Sequence, residues 1–220
     1  MISGITKFKN YHKGSDVYVL GSGASCNYID PSFFDDKITI GTNQTYRKFK
    51  TNYIVRKEHS LVLETLNETN SNVIVGRYNA GNNPELNING FTHDRLYYFD
   101  HRRLAGKYEL DLTDFNKENH LVISYSTITT SMHFAYHLGA RNIILVGVDH
   151  GTLDGKSTFD GYYKSIKETP WKDWGEYVSW LSKLEKDTRS MKSKLNELGV
   201  NVYSLNPFIN FKLEEHDYKG

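Results

Sequence analysis

The sequence predicts an α/β protein with a Rossmann-like, doubly wound and mostly parallel sheet. Two observations predict this class. Short runs rich in Val and Ile recur along the 220 residues, and they lack the strict alternation of half-exposed strands, as is typical of parallel strands covered on both faces. Helical periodicity separates the later runs, so strand and helix alternate along the chain. A chain of this length can bury a sizeable core, and we expect a single domain over residues 1–220.

Seven apolar runs, each closed by small or polar residues, are predicted to be buried strands. They cover residues 17–21, 37–43, 52–57, 72–76, 121–124, 142–149 and 200–205. Two helices are predicted among the later runs. The stretch "STITTSMHFAYHLGA" places apolar residues at helical spacing and ends near Gly139, which can supply a left-handed C-cap. An amphipathic helix is predicted from Trp174 to Gly199.

Residues 77–119 show neither the pattern of a buried strand nor the spacing of a helix. This segment is dense in Asn, Gly, Asp and aromatic residues, a composition that favours turns and irregular structure over a core element. We therefore expect an irregular insertion, or a lid over the edge of the sheet.

Composition excludes several classes of protein. The net charge is +1, so nothing indicates a protein built to coat nucleic acid or an anionic membrane. Cys26 is the single cysteine of the sequence, which excludes an internal disulfide and a multi-cysteine zinc site. No apolar stretch reaches the roughly 18 to 20 residues of a membrane span, and the N-terminus has no apolar signal segment. We expect a cytoplasmic protein whose anionic ligand, if it has one, is held by local geometry.

Loops after two predicted strands carry ligand-binding signals. The first strand runs into "GSGAS", where Gly21 and Gly23 would let a phosphate or ribose approach the backbone. The motif is neither a full dinucleotide fingerprint nor a Walker loop, so a purely structural tight turn is the alternative. The second strand ends in Asn43 and Gln44, where a polar turn or a helix cap is the alternative.

Two further loops are predicted to meet the same edge. Hydroxyl residues open the helix of residues 126–140, where they either cap the helix or build an anion or ribose site. The strand "NIILVGVD" delivers Asp149 and His150 to the carboxyl edge of the sheet. Ligands of open parallel sheets collect at this edge, so four such loops together predict a binding site.

Paired His and Asp residues offer a metal site as another interpretation. His93, Asp94, Asp100 and His101 are close in sequence, and His133 and His137 lie one helical turn apart. Spacing alone does not show converging ligands. We predict a solvated segment for the first group, helix packing for the second, and no metal site.

The order of these motifs resembles the bacterial sialyltransferases that have a single Rossmann-like domain. It is similar also to their relatives, the glycosyltransferase-like domain of Maf flagellin motility accessory proteins and the archaeal 6-hydroxymethylpterin diphosphokinases. The resemblance covers residues 17–46 and 121–208, and its most specific piece is "SMHFAYHLGARNIILVGVDHG". It implies transfer of a nucleotide-activated sugar, from a CMP-sialic-acid-like donor to a glycan or protein acceptor, without an obligatory metal or other cofactor.

The resemblance also implies roles for individual residues. The nucleotide phosphate would lie along the glycine loop, and Asn43 with Gln44 would meet the ribose-phosphate or donor sugar. Asp149 would close the pocket, and Tyr162 and Tyr163 would hold the leaving phosphate, with edge packing as the alternative for these tyrosines. The loop residues concerned are Gly21, Ser22, Gly23, Ala24 and Ser25; Thr129, Thr130 and Ser131 would lie against the cytidine.

The chain departs from the sialyltransferases at the general base. No histidine occurs between Gly151 and Glu215, the region in which that family places one, and transfer needs a base within reach of the acceptor hydroxyl. His150 is the first candidate; Asp149, Asp160 and Glu176 are the others. Two alternatives follow: a Mg-ATP-dependent pterin diphosphokinase-like enzyme with Asp149 and Asp154 as ligands, or a nucleotide-binding protein without catalysis.

Overall fold

The computed structural model describes residues 3–57, 59, 61–78, 90–102, 110–164 and 174–205. Within these ranges one parallel sheet has the strand order β5-β4-β3-β2-β1-β6-β7. The predicted α/β fold with a parallel sheet is confirmed. The strands are β1 (Asp16–Leu20), β2 (Ile38–Thr42), β3 (Tyr53–Arg56), β4 (Asn72–Gly76), β5 (Leu96–Phe99), β6 (Asn142–Val146) and β7 (Asn201–Ser204).

Three α-helices accompany the sheet in the described ranges: α1 (Val62–Glu68), α2 (Thr127–His137) and α3 (Trp174–Glu197). The two helices predicted from periodicity are confirmed as α2 and α3. Each ends at a glycine in the left-handed region, Gly139 with φ +85° and Gly199 with φ +80°, where a side chain would strain the backbone. Among the described residues, no helix is both long and apolar enough to cross a membrane.

Apolar side chains cover both faces of the sheet. Along β1, Val19 belongs to the core under α2 and α3, whereas the next residue, Leu20, belongs to a second cluster with Phe34 and Phe49. Successive strand residues point to opposite faces, so a strand that is covered on both faces favours apolar residues along its whole length. This explains why the strands appear in the sequence as continuous apolar runs.

The strand order places a switch point between β1 and β6. From β1 the chain builds outward through β2, β3, β4 and β5, and it then returns to add β6 on the other side of β1. Crossovers leaving the two sides of such a point diverge, which opens a crevice at the carboxyl ends of the strands. The loops after β1, β2 and β6 all end at this crevice.

Two sequence predictions are wrong. Residues 96–99, inside the segment predicted to be irregular, form the edge strand β5; residues 79–89 and 103–109 of that segment lie outside the described residues. Residues 121–124 are not a strand. Leu121, Val122 and Ile123 instead bury their side chains in the core under α2, since an apolar run can be buried against a sheet without joining it.

Candidate functional site

The glycine loop after β1 is bound directly to the end of β6. The Gly21 N–H donates to the Val146 carbonyl (2.7 Å), and the Gly23 N–H donates to the Gly147 carbonyl (2.8 Å). A Cβ at Gly23 would overlap the Asp149 carboxylate and lie 2.7 Å from the Gly147 carbonyl oxygen. Glycine at 23 is therefore required by the close approach of two loops, whether or not a phosphate also binds there.

Asp149 holds the glycine loop from the other side. It is 3% exposed, and its carboxylate accepts hydrogen bonds from the Ser25 backbone N–H (2.8 Å) and the Ser25 hydroxyl (2.6 Å). Burial raises the pKa of Asp149, while the two Ser25 hydrogen bonds act to lower it. Both oxygens face Ser25, so this carboxylate organises the loop and is a poor candidate for a general base or a Mg²⁺ ligand.

The hydroxyl of Tyr162 lies at the point where the loops after β1 and β2 meet. The side chains of Asn43 and Ser22 and the backbone N–H of Gln44 lie close enough to this hydroxyl to favour its phenolate form. Burial raises the pKa of Tyr162, and these groups and the charge of Arg56 act to lower it. Ser22 and Asn43 are each partly exposed. Ser22, Asn43 and Tyr162, which were predicted from separate stretches of sequence, thus lie together.

Residues 151–164 carry Tyr162 to this position. The segment starts with a two-residue hairpin between Leu153 and Lys156, in which Asp154 (φ +52°) and Gly155 (φ +72°) make the turn. The Phe159 N–H then donates to the Ser22 carbonyl (2.9 Å). Phe159 and Tyr162 pack in the cluster that contains Phe34 and Phe49, so the segment covers the glycine loop.

The two predicted tyrosines occupy different environments. Tyr162 is 4% exposed, whereas Tyr163 is half-buried and packs edge-on against Tyr162, with ring centroids 4.7 Å apart. Ring packing, the alternative considered from the sequence, is present for both tyrosines, and their contact with a leaving phosphate stays a prediction.

At the start of α2, the hydroxyls of Ser126, Thr129 and Ser131 bond within their own helix, whereas the buried Thr130 Oγ1 has no hydrogen-bond partner among the described residues. Ser126 is the N-cap and accepts from the Ile128 N–H (3.1 Å). Thr129 donates to the Ser126 carbonyl (2.8 Å), and Ser131 donates to the Thr127 carbonyl (3.1 Å). Thr129, Thr130 and Ser131 are each 0% exposed. Helix capping and packing account for these residues here, and contact with a cytidine stays a prediction.

His150 follows Asp149 but points to α3. Its backbone is left-handed (φ +51°), and its Nε2 lies 3.2 Å from the Thr188 hydroxyl oxygen. Thr188 donates its single hydroxyl hydrogen to the Leu184 carbonyl (2.9 Å), so the Nε2–H of His150 is the donor to Thr188. In the neutral imidazole the basic lone pair is then on Nδ1, and any base catalysis by His150 uses Nδ1.

The sequence analysis missed two cationic residues at the end of β3. Arg56, the last residue of the strand, is 4% exposed, and its charge favours the phenolate of Tyr162. Lys57 donates to the carbonyls of Ser124 (2.6 Å) and Tyr125 (2.9 Å), just before α2. The signal was present in "NYIVRK", where two cations follow a buried run as Asn43 follows β2.

Asp187 from α3 completes the link between Lys57 and α2. Burial raises the pKa of its carboxylate, and the neighbouring Ser124 side chain and Tyr125 backbone act to lower it; its Oδ2 is buried without a hydrogen-bond partner among the described residues. The charge of Lys57 opposes that increase. The start of α2 is therefore fixed from both sides, by a cation from β3 and a carboxylate from α3.

The His and Asp residues considered as metal ligands bond to other groups of the protein. Asp100 pairs with Arg77 (2.6 Å) and accepts from Asn119 (2.9 Å), and His101 bonds the Tyr78 carbonyl (2.9 Å). His133 and His137 bond the carbonyls of Phe115 and Ile5, so the helix-packing prediction is confirmed for both. Across the ranges that the structure describes, no three His, Cys, Asp or Glu residues are grouped to hold a metal ion.

The fold has solved relatives, whereas the sequence matches no protein-family model and no curated protein. One similar structure is the sialyltransferase CstII from Campylobacter jejuni in complex with cytidine-5'-monophosphate, a substrate analogue. It has a TM-score of 0.55 and 18% identity, covering 94% of this chain and 88% of that chain. CstII in complex with CMP-3FNeuAc gives 0.50 and 16%, covering 93% and 87%. The chain therefore has a sialyltransferase-like fold.

Proposed function

We propose that this protein is a glycosyltransferase that takes a sugar from a CMP-sialic-acid-like donor and passes it to a glycan or protein acceptor. The observation that carries the proposal is the convergence of Ser22, Asn43 and the Tyr162 hydroxyl at the carboxyl edge of the sheet, beside β1 and β2. The similarity of the fold to CstII, solved with CMP and with CMP-3FNeuAc, supports the choice of nucleotide.

In this proposal the donor's phosphate lies along the loop of residues 21–25. Ser22 and Asn43 are partly exposed and contact the phosphate or the adjoining sugar, and Gln44 supports them through its backbone. Thr129, Thr130 and Ser131 supply the helix start beside the cytidine. Asp149 acts indirectly, because its two hydrogen bonds to Ser25 fix the loop's shape.

Tyr162 is the group proposed to stabilise the leaving phosphate. As the bond between the sugar and the phosphate oxygen breaks, negative charge develops on the nucleotide, and a positioned hydroxyl donor stabilises it. The buried Arg56 adds positive charge to the same region. A phenol and a guanidinium supply this stabilisation without a metal ion.

His150 is the proposed general base. It would take the proton of the acceptor hydroxyl on Nδ1, since Thr188 holds Nε2 in the protonated form. The acceptor oxygen then bonds to the sugar as CMP leaves, which balances the transfer. Asp149 is set aside as an alternative base because both of its oxygens bond Ser25.

Nucleotide binding and donor turnover test the proposal. CMP without metal is expected to raise the melting temperature, because a ligand that binds only the folded state stabilises it. UMP, and ATP with Mg²⁺, are the comparison ligands. Release of CMP from CMP-N-acetylneuraminic acid is then followed with and without lactose. Stabilisation by Mg-ATP with no response to CMP would overturn the proposal in favour of phosphoryl-transfer chemistry; CMP binding without turnover would indicate a binding protein.

A further inference from the structure

The short loop after β2 contacts Tyr162 at two points, the hydroxyl and the backbone carbonyl. The Tyr162 hydroxyl meets Asn43 and the Gln44 backbone, and the Tyr162 carbonyl accepts a hydrogen bond from Arg47 Nη1 (2.7 Å). Arg47 ends the 3-10 turn Thr45–Arg47 that follows these residues. The ring between these contacts packs against Phe159, so the position of the hydroxyl depends on where the backbone of residue 162 is held.

Arg47 is itself oriented by a carboxylate. Its Nη2 donates to Glu64 Oε1 (2.7 Å) on α1, and its side chain is 9% exposed. A guanidinium donates two hydrogen bonds in a fixed fork, which a lysine ammonium does not reproduce. One arm of the fork therefore binds the carbonyl of the tyrosine, and the other binds α1.

A more exposed set of ion pairs also links the segment that carries Tyr162 to α1. Lys164 Nζ donates to Glu64 Oε1 (2.9 Å) and to Glu68 Oε1 (2.8 Å). Lys164 is 52% exposed, and exposed pairs contribute little because water and salt screen them. The buried Arg47 contact is consequently the stronger restraint on the segment that carries Tyr162.

We infer that Arg47 is a positioning residue that sets the Tyr162 hydroxyl against Ser22 and Asn43 by holding the Tyr162 carbonyl. Its consequence for donor binding rests on the proposed function, but the placement of the tyrosine does not. Because Arg47 acts through Tyr162, removing Arg47 should not weaken CMP binding further once the Tyr162 hydroxyl has been removed.

The first measurement follows the tyrosine directly. Protein labelled with 3-fluorotyrosine is studied by ¹⁹F NMR, and the signal missing from Tyr162→Phe identifies Tyr162. In Arg47→Ala this signal is expected to shift or broaden, and in Arg47→Lys to be only partly restored. Arg141→Ala is the matched control, since this exposed arginine pairs with Asp16 at the opposite edge of the sheet. An unchanged Tyr162 signal in folded Arg47→Ala overturns the inference, whether or not the protein binds CMP.

The second measurement is a double-mutant cycle on CMP affinity. Arg47→Ala is expected to weaken binding about tenfold, equivalent to one lost hydrogen bond, and Tyr162→Phe by a similar factor. The double variant should bind within about twofold of Tyr162→Phe, because the two changes remove one interaction. Additive losses would overturn the inference by assigning Arg47 an independent structural role. If the parent protein does not bind CMP, the proposed function fails, and the NMR signal alone decides the role of Arg47.

Discussion

The carboxylate of Asp149 accepts both the backbone N–H and the hydroxyl of Ser25, at 2.8 and 2.6 Å. This pair joins the loop after β6 to the loop after β1 across the switch point of the sheet. Two of the four lone pairs of the carboxylate are used in this way, so Asp149 serves to hold the glycine loop.

Changing Asp149 to Asn should loosen the glycine loop. The amide oxygen still accepts from the Ser25 N–H and the NH₂ group can donate to the Ser25 hydroxyl oxygen, but both hydrogen bonds lose the negative charge that strengthens them. We expect the free energy of unfolding to fall by about 2 kcal/mol, with weaker CMP binding, as measured by denaturant titration and calorimetry. Asp16→Asn, at an exposed carboxylate on the amino edge of the sheet, is the control. Equal stability of the Asp149 variant and the parent would contradict this prediction.

Gly23→Ala should destabilise the fold. The added methyl group collides with the Asp149 carboxylate and the Gly147 carbonyl, and neither can retreat without breaking the hydrogen bonds just described. Overpacking of this kind costs about 1–3 kcal/mol, to be measured as a lower free energy of unfolding in urea. Lys50→Ala, at an exposed residue outside the loop, serves as the control. A fully stable alanine variant would show that the loops separate readily.

Tyr162→Phe and Tyr163→Phe should differ in effect. The first removes a hydroxyl that lies beside Ser22 and Asn43, so we expect donor turnover to fall by more than the roughly tenfold loss expected in CMP affinity. The second retains the ring that packs on Tyr162 and should leave turnover within about twofold. Equal losses in steady-state kinetics would mean that the hydroxyls act as a pair.

His150→Ala tests the proposed base. Loss of general-base assistance lowers transfer by about a hundredfold or more, while CMP affinity should change little because His150 contacts Thr188 and not the glycine loop in this structure. Transfer and CMP binding are measured on the same preparation, with His93→Ala, a partly exposed histidine near β5, as the control. Full activity would direct attention to Asp160 or Glu176.

Acid should destabilise the protein through His133. Its Nδ1 accepts from the Val122 N–H (3.0 Å) and its Nε2 donates to the Phe115 carbonyl (2.8 Å), an arrangement that needs a neutral ring. Burial lowers the pKa of His133 from 6.5 to about 3. The unfolded chain binds the proton more readily, so this stability is full above pH 6.5 and is lost as the pH falls toward 3, by up to about 5 kcal/mol.

Urea titrations across this pH range measure the effect of His133. His133→Gln removes the titrating ring, so its stability, although lower, should vary less between pH 7 and pH 4. The same pH dependence in the parent and the variant would assign the acid sensitivity to other groups.

The sequence by itself determined β1 to β4, β6, β7 and both long helices. Strands buried on two faces favour apolar residues along their whole length, and this preference is visible in "VYVLG" and "NIILVGVD" without any partner being known. The glycines at 139 and 199 mark helix ends because each occupies a backbone conformation that other residues avoid. Such local requirements also predicted that the loops after β1, β2 and β6 share one edge, which the structure confirms.

Only the tertiary structure decided what each polar group at that edge does. Whether "LVIS" joins the sheet depends on tertiary contacts: "LYYF" pairs with β4 at the edge of the sheet, and the apolar residues of "LVIS" pack in the core instead. Position 23 must be glycine because Asp149 lies against it, and Tyr162 is held by a hydrogen bond from Arg47. Each pair is separated by more than a hundred residues of sequence. A hydrogen bond selects its partner by distance and direction in the folded chain, and no local pattern encodes a contact between residues so far apart.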